Sequence, residues 1–105
     1  LDPDSLKLRV GFYFDTCIAG AMTDFKGKSL PALPKESKDI YLDLLYNGTK
    51  FRKDLEVSHG LGEKKLRDIL FRMEEYKLVA LQHKQPVKAL LAPTSVQILF
   101  PNLFM

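Results

Sequence analysis

Between Asn47 and Thr94 the chain runs through a succession of patterns that few folds accommodate: NGTKF, RKDLEVSHGLGE, KKLRDILFRMEEYKLVAL, QHKQP, VKALLAPT. The strongest periodicity lies in the middle. Leu66, Ile69, Leu70 and Met73 recur at spacings of three and four, which puts them on one buried face of a helix from about Glu63 to Tyr76. Ahead of it the order predicts a short helix, Arg52 to Ser58, with Leu55 inward. Between them His59-Gly60-Leu61-Gly62 makes a turn whose two glycines permit tight geometry. Phe51 stands alone among charged neighbours and is expected to plug the core. Behind the long helix, Leu78–Leu81 and Val87–Ala92 read as two strands. The tip between them is His83-Lys84-Gln85-Pro86, and Pro86 removes a ladder donor, as expected at a turn.

Upstream the pattern changes in kind. Leu6, Leu8, Val10, Phe12 and Phe14 alternate with Lys7, Arg9, Gly11 and Tyr13. Period two predicts a strand with one buried face. Cys17 to Met22 is small and apolar and reads as a second strand or a short helix, and Phe25 to Pro34 reads as a loop. A helix is expected after Pro34, with Ile40, Leu42, Leu44 and Leu45 in its apolar stretch and Asn47-Gly48 as its stop. The division is then an N-terminal strand extension and loop, residues 1–34, and one compact unit, residues 35–105. A long strand is not stable alone. It pairs with the hairpin strands, with a second copy or with another partner. Leu8, Val10, Phe12 and Phe14 are therefore candidate contacts of a homodimer. At the other end Thr94 or Ser95 suits the N-cap of a short last helix through Leu99, stopped by Pro101. Leu103, Phe104 and Met105 form an apolar terminus expected to dock on the body or, as the alternative to the Leu6–Phe14 strand, to form the dimer interface.

A chain of 105 residues is long enough to bury a real core. No apolar run approaches the roughly 18 residues that span a bilayer, and no signal-peptide pattern is present. No membrane partner is expected. The single Cys17 has no intramolecular disulfide partner, which suits a reducing compartment. The expected location is the cytoplasm, or the nucleus in a eukaryote. The chain opens at Leu1 rather than Met, as an excised or processed piece of something longer does.

Charge is informative when split. Residues 1–48 carry six basic and seven acidic side chains, residues 49–105 ten and six, together the net +3 of the chain. The basic excess lies with the helix–turn–helix–hairpin half, where a phosphate-binding surface would be needed. The long helix itself is nearly balanced. Lys64–Asp68 and Asp68–Arg72 are spaced for i,i+4 pairing along it.

Enzyme motifs are missing: no GxGxxG, GxxxxGK[ST], GxSxG or HExxH occurs. Asp15-Thr16-Cys17 has no His nearby in sequence and reads as a small-residue patch. One Cys and two separated His form no metal-ligand cluster. No catalytic role, metal or cofactor is expected.

The runs LLYNGTKFRKDLEVSHGLGEKKLRDILFRMEEYKLVAL and LLAPTSVQIL resemble the winged helix-turn-helix domains of small prokaryotic transcription regulators. Gly48, Phe51, Leu55, Leu66, Leu70, Leu78, Val79, Leu91, Pro93, Ile98 and Leu99 carry the resemblance over roughly the last two-thirds of the chain. It implies an α+β winged helix of three helices and a β-wing, here with the added N-terminal strand segment. In such a unit the second helix of the helix-turn-helix lies in a major groove of double-stranded DNA, and the wing reaches the backbone or a minor groove. The matching contacts here are Lys64, Lys65 and Arg72 on phosphates or bases, Asp68 toward a cytosine amino group, and Lys84 and Lys88 from the wing. His59, in the turn, is a further candidate for phosphate contact or pH sensing. Two departures stand out. Glu63 opens the long helix where these regulators often place a hydroxyl, and the N-terminal segment is not a usual part of them. The scaffold is also reused without DNA, so the alternative is a protein-interaction module in a larger assembly.

Overall fold

The computed structural model describes residues 3–20, 27–92 and 95. Its first element corrects the sequence expectation: residues Pro3–Ile18 form helix α1, not a strand. The alternation of Leu8, Val10, Phe12 and Phe14 is coincidental with a second spacing. Val10, Phe14 and Cys17 lie four and three residues apart and are all fully buried, whereas Leu8 and Phe12 are exposed. One helical face therefore enters the core and takes only half of the alternating set. Val10 and Phe14 are core residues and present nothing to a second copy. Pro3 occupies the first helical position, where its missing N–H costs nothing, and Asp4 follows in the first turn beside the positive end of the helix dipole.

Helix α2 spans Glu36–Asn47 and buries Ser37, Ile40, Tyr41 and Leu44. Its start is held by the Ser37 hydroxyl, which donates to the Pro34 carbonyl at 2.6 Å. At its end Gly48 has φ 80° and donates its N–H to Leu44 O at 3.0 Å. The ring of Phe14 meets that of Tyr41 at 5.3 Å, tying α1 to α2. The Tyr41 hydroxyl reaches Ser95 Oγ at 3.2 Å, so that ring also finds a polar partner inside the core.

Strand β1, Lys50–Phe51, leads directly into α3, Arg52–His59. Gly60 then turns left-handed at φ 62°, and Leu61 N–H returns to Glu56 O at 3.0 Å. Helix α4 runs Glu63–Glu75 and buries the expected stripe Leu66, Ile69, Leu70 and Met73. Strands β2, Val79–Gln82, and β3, Lys88–Leu91, follow. All pairings are antiparallel in the order β1-β3-β2, with Val79 opposite Leu91, Gln82 opposite Lys88 and Lys50 opposite Ala89. The described residues thus form an α+β domain of four helices and one three-stranded antiparallel sheet around a single core.

Phe51 departs from expectation. It is 39% exposed, because it caps the start of α3 at the sheet edge, and Lys88 Nζ sits 5.1 Å from its ring centroid. Leu55, Leu66, Ile69, Leu70, Met73 and Leu78 are buried as expected, while Leu61 and Leu91 are only partly covered. The expected last helix lies outside the described residues apart from Ser95, as do the apolar C-terminus and Ala21–Met22. Replacing Leu70 with Ala is expected to cost about 2–5 kcal/mol, the range for truncating a fully buried leucine. Urea denaturation of the two proteins measures it.

Candidate nucleic-acid interface

With the Leu66–Met73 stripe buried, Lys64, Asp68, Phe71 and Glu75 stand on the opposite side of α4, all exposed. Phe71 is 59% exposed in the middle of that row. Beside it a groove of about 600 Å3 separates α4 from the hairpin. Arg67, Leu70 and Phe71 line one wall, and Leu81, His83, Gln85 and Val87 line the other. The mouth of the groove is set by Glu63. Its Oε1 accepts from Arg67 Nη2 at 2.6 Å and from Arg52 Nη2 at 3.4 Å. Arg52 is fixed from behind, where its backbone N–H donates to Val87 O at 2.8 Å and joins the start of α3 to the hairpin. Arg52 Nε is buried there without a partner.

The residues singled out from sequence separate into two groups. Lys64 and Asp68 are exposed on α4, Lys84 is exposed at the hairpin tip, and none of the three has an ion pair among the described residues. The others have partners within the chain. Lys65 pairs with Glu36 at 3.4 Å. Arg72 donates to Ala32 O at 3.3 Å. Lys88 lies over Phe51 at the base of the hairpin. His59 meets Asp43 at 2.9 Å. The i,i+4 contact along α4 is Arg67–Glu63, not the Lys64–Asp68 and Asp68–Arg72 pairs that spacing alone allows. Arg67, Arg52 and Phe71 were not among the candidates. Arg67 had a signal, being four residues after Glu63. Phe71 had one as well, an aromatic residue outside the stripe of its own helix. Arg52 had none, because its role depends on contact across the turn.

Asp43 on α2 is a small polar hub. It takes His59 Nε2 at 2.9 Å, Lys50 Nζ at 3.0 Å and Asn47 Nδ2 at 2.7 Å. Burial by itself works to raise its pKa. The hydrogen bonds from Asn47, Lys50 and His59 together outweigh burial and hold the carboxyl below its ordinary value. His59 therefore braces the end of α3 against α2. Because the folded-state pKa is depressed, the stabilisation is present above the ordinary carboxylate range and is lost as pH falls through the folded value. Asp43→Asn is expected to cost about 1–3 kcal/mol at pH 7. The difference from the parent should shrink at the acid end of a pH series of denaturant melts.

The Asp15-Thr16-Cys17 segment lies on α1. Cys17 is fully buried, and burial pushes its thiol up to about 11, against a smaller opposing hydrogen bond with Tyr13. The Thr16 hydroxyl donates to Phe12 O at 3.2 Å within the helix. Among the described residues no three His, Cys, Asp or Glu side chains are placed to hold a metal ion. No helix among them is long and apolar enough to cross a membrane. No protein-family model matches this chain, and neither the curated proteins nor the solved structures give a match.

Proposed function

We propose that this chain is a winged helix-turn-helix protein that binds double-stranded DNA, as a transcription regulator or a replication or segregation factor. The order α2-β1-α3-α4-β2-β3, with the sheet ordered β1-β3-β2, fits three helices and a wing, with α1 as an addition. The observation that carries the functional reading is the outer row of α4. Lys64, Asp68 and Phe71 are exposed together, next to a hairpin whose tip presents Lys84. In a major groove Phe71 offers apolar contact to a thymine methyl, and Asp68 accepts from a cytosine amino group. Lys64 and Lys84 suit backbone phosphates. Lys65, Arg67, Arg72 and Lys88 reach DNA only by leaving their present partners, so they rank behind Lys64 and Lys84.

The competing reading is a protein-interaction winged helix within a larger assembly. It is favoured by the apolar part of the same groove, where Phe71 lies beside Leu70, Leu81 and Val87. The two readings part on salt. Phosphate contacts release counterions, so DNA affinity must fall steeply as salt rises. Titrating random and genomic duplexes at low and raised salt is the test. Lys84→Glu is expected to weaken all sequences about equally, while Phe71→Ala is expected to flatten the preference among sequences. No binding at roughly tens of micromolar protein at low salt would sink the DNA reading and leave the interaction module.

A further inference from the structure

The outer face of α1 is a second surface, away from α4. Asp4, Leu8, Gly11 and Asp15 recur along it at spacings of four, three and four, so they share one side of the helix, with Lys7 and Phe12 at its margins. Leu8 is 63% and Phe12 73% exposed. Together with Lys38 of α2 these residues line a shallow groove of about 410 Å3. The groove continues past Asp4 and Lys7 to Leu42 and Tyr46 on α2, where Asp39, Asp43 and Asn47 also line it.

We infer that this face is a homodimer interface in which α1 packs antiparallel against α1 of a second copy and crosses it at Gly11. Three observations point to a second copy as the occupant. First, the charge is self-complementary. Asp4 and Asp15 face outward with Lys7 and Lys38, two carboxylates and two ammonium groups around an apolar centre. A charged patch that meets itself across a two-fold axis avoids like-charge contact when it carries both signs. Second, the order along the helix suits that axis. Lys7 and Asp15 lie four residues to either side of Gly11, so an antiparallel partner centred there brings each Lys7 opposite the other copy's Asp15. The same arrangement sets each Phe12 beside the partner's Leu8 and Phe12. Third, Gly11 is a poor helix former in mid-helix, and among the described residues nothing packs closely enough to call for it. A Cβ built there meets no atom within 4 Å. Close approach of another backbone is the use of a glycine at such a point.

One helix per partner forms the centre of the interface, and a dimer at about micromolar concentration is expected. It does not depend on DNA binding. Sedimentation equilibrium of the full chain over a wide concentration range tests it, with circular dichroism as the check on folding. The parent chain is expected to dimerise. Phe12→Asp and Gly11→Leu are each expected to weaken association at least tenfold while remaining folded, since both positions border open space. Lys7→Asp and Asp15→Lys should each be monomeric alone, through like charges across the axis. Mixed together they should form a heterodimer, because both pairs are then complementary again. A parent chain that stays monomeric at high micromolar concentration overturns the inference. So does a dimer indifferent to Phe12→Asp, or a Lys7→Asp and Asp15→Lys mixture that fails to associate.

Discussion

Everything in this domain hangs on the burial of one face of α4 in the core that it shares with α1 and α2. Leu66, Ile69, Leu70 and Met73 meet the same cluster that holds Val10, Phe14, Ile40, Tyr41 and Leu44. Burying each of these side chains contributes roughly 1.5–3 kcal/mol. Once that face is inward, Lys64, Asp68 and Phe71 have no choice but solvent, because residues half a turn away cannot also reach the core. The proposed reading surface is thus a geometric consequence of the packing. The hairpin follows from the same event. Leu78 N–H is bonded to Met73 O at 3.0 Å, so the chain leaves α4 already directed into β2.

Polar contacts then decide which of the surrounding charges are available. Two carboxylates do most of this work. Asp43 gathers Asn47, Lys50 and His59 at the junction of α2 and α3. Glu63 gathers Arg52 and Arg67 at the head of α4. The two differ in burial. The Asp43 side chain is 10% exposed and that of Glu63 is 56%. The first is therefore a brace that water screens little, whereas the second is an exposed pair of small energetic worth. Separating Arg67 from Glu63 therefore costs little. The acidic residue that looks wrong for a phosphate site is for that reason a weak obstacle to one.

Much of the helix–turn–helix–hairpin segment was legible from the chain alone. The α4 stripe, the stop at Gly48, the turn at Gly60 and the two strands around Pro86 each rest on a local rule: periodicity, a positive φ or a missing donor. Such rules act over a few residues and survive without knowledge of the rest of the fold. The partners of Lys65, Arg72, Lys88 and His59 were not legible. Each is met from a separate segment: Glu36, Ala32, Phe51 and Asp43. Spacing along α4 named plausible ion pairs on the helix, but Arg72 instead meets Ala32 from another segment, and Lys64 and Asp68 have no ion pair among the described residues.

The N-terminal segment marks the boundary most clearly. Its residues satisfied two periods at once, every second position for a strand and Val10, Phe14, Cys17 for a helix, and local pattern offered no means of choosing. Tertiary packing chose, because α2 presents Tyr41 to Phe14 at 5.3 Å and a helix delivers three apolar side chains to that side without leaving backbone groups unpaired. The sequence by itself determined where α4 buries its stripe, where the chain turns and which half carries the basic excess, since each depends on neighbours in the chain. Only the tertiary structure decided that α1 is a helix and that Phe51 lies at an edge. It also decided which cations are engaged within the chain and which face outward, since burial and pairing are properties of the whole packed molecule.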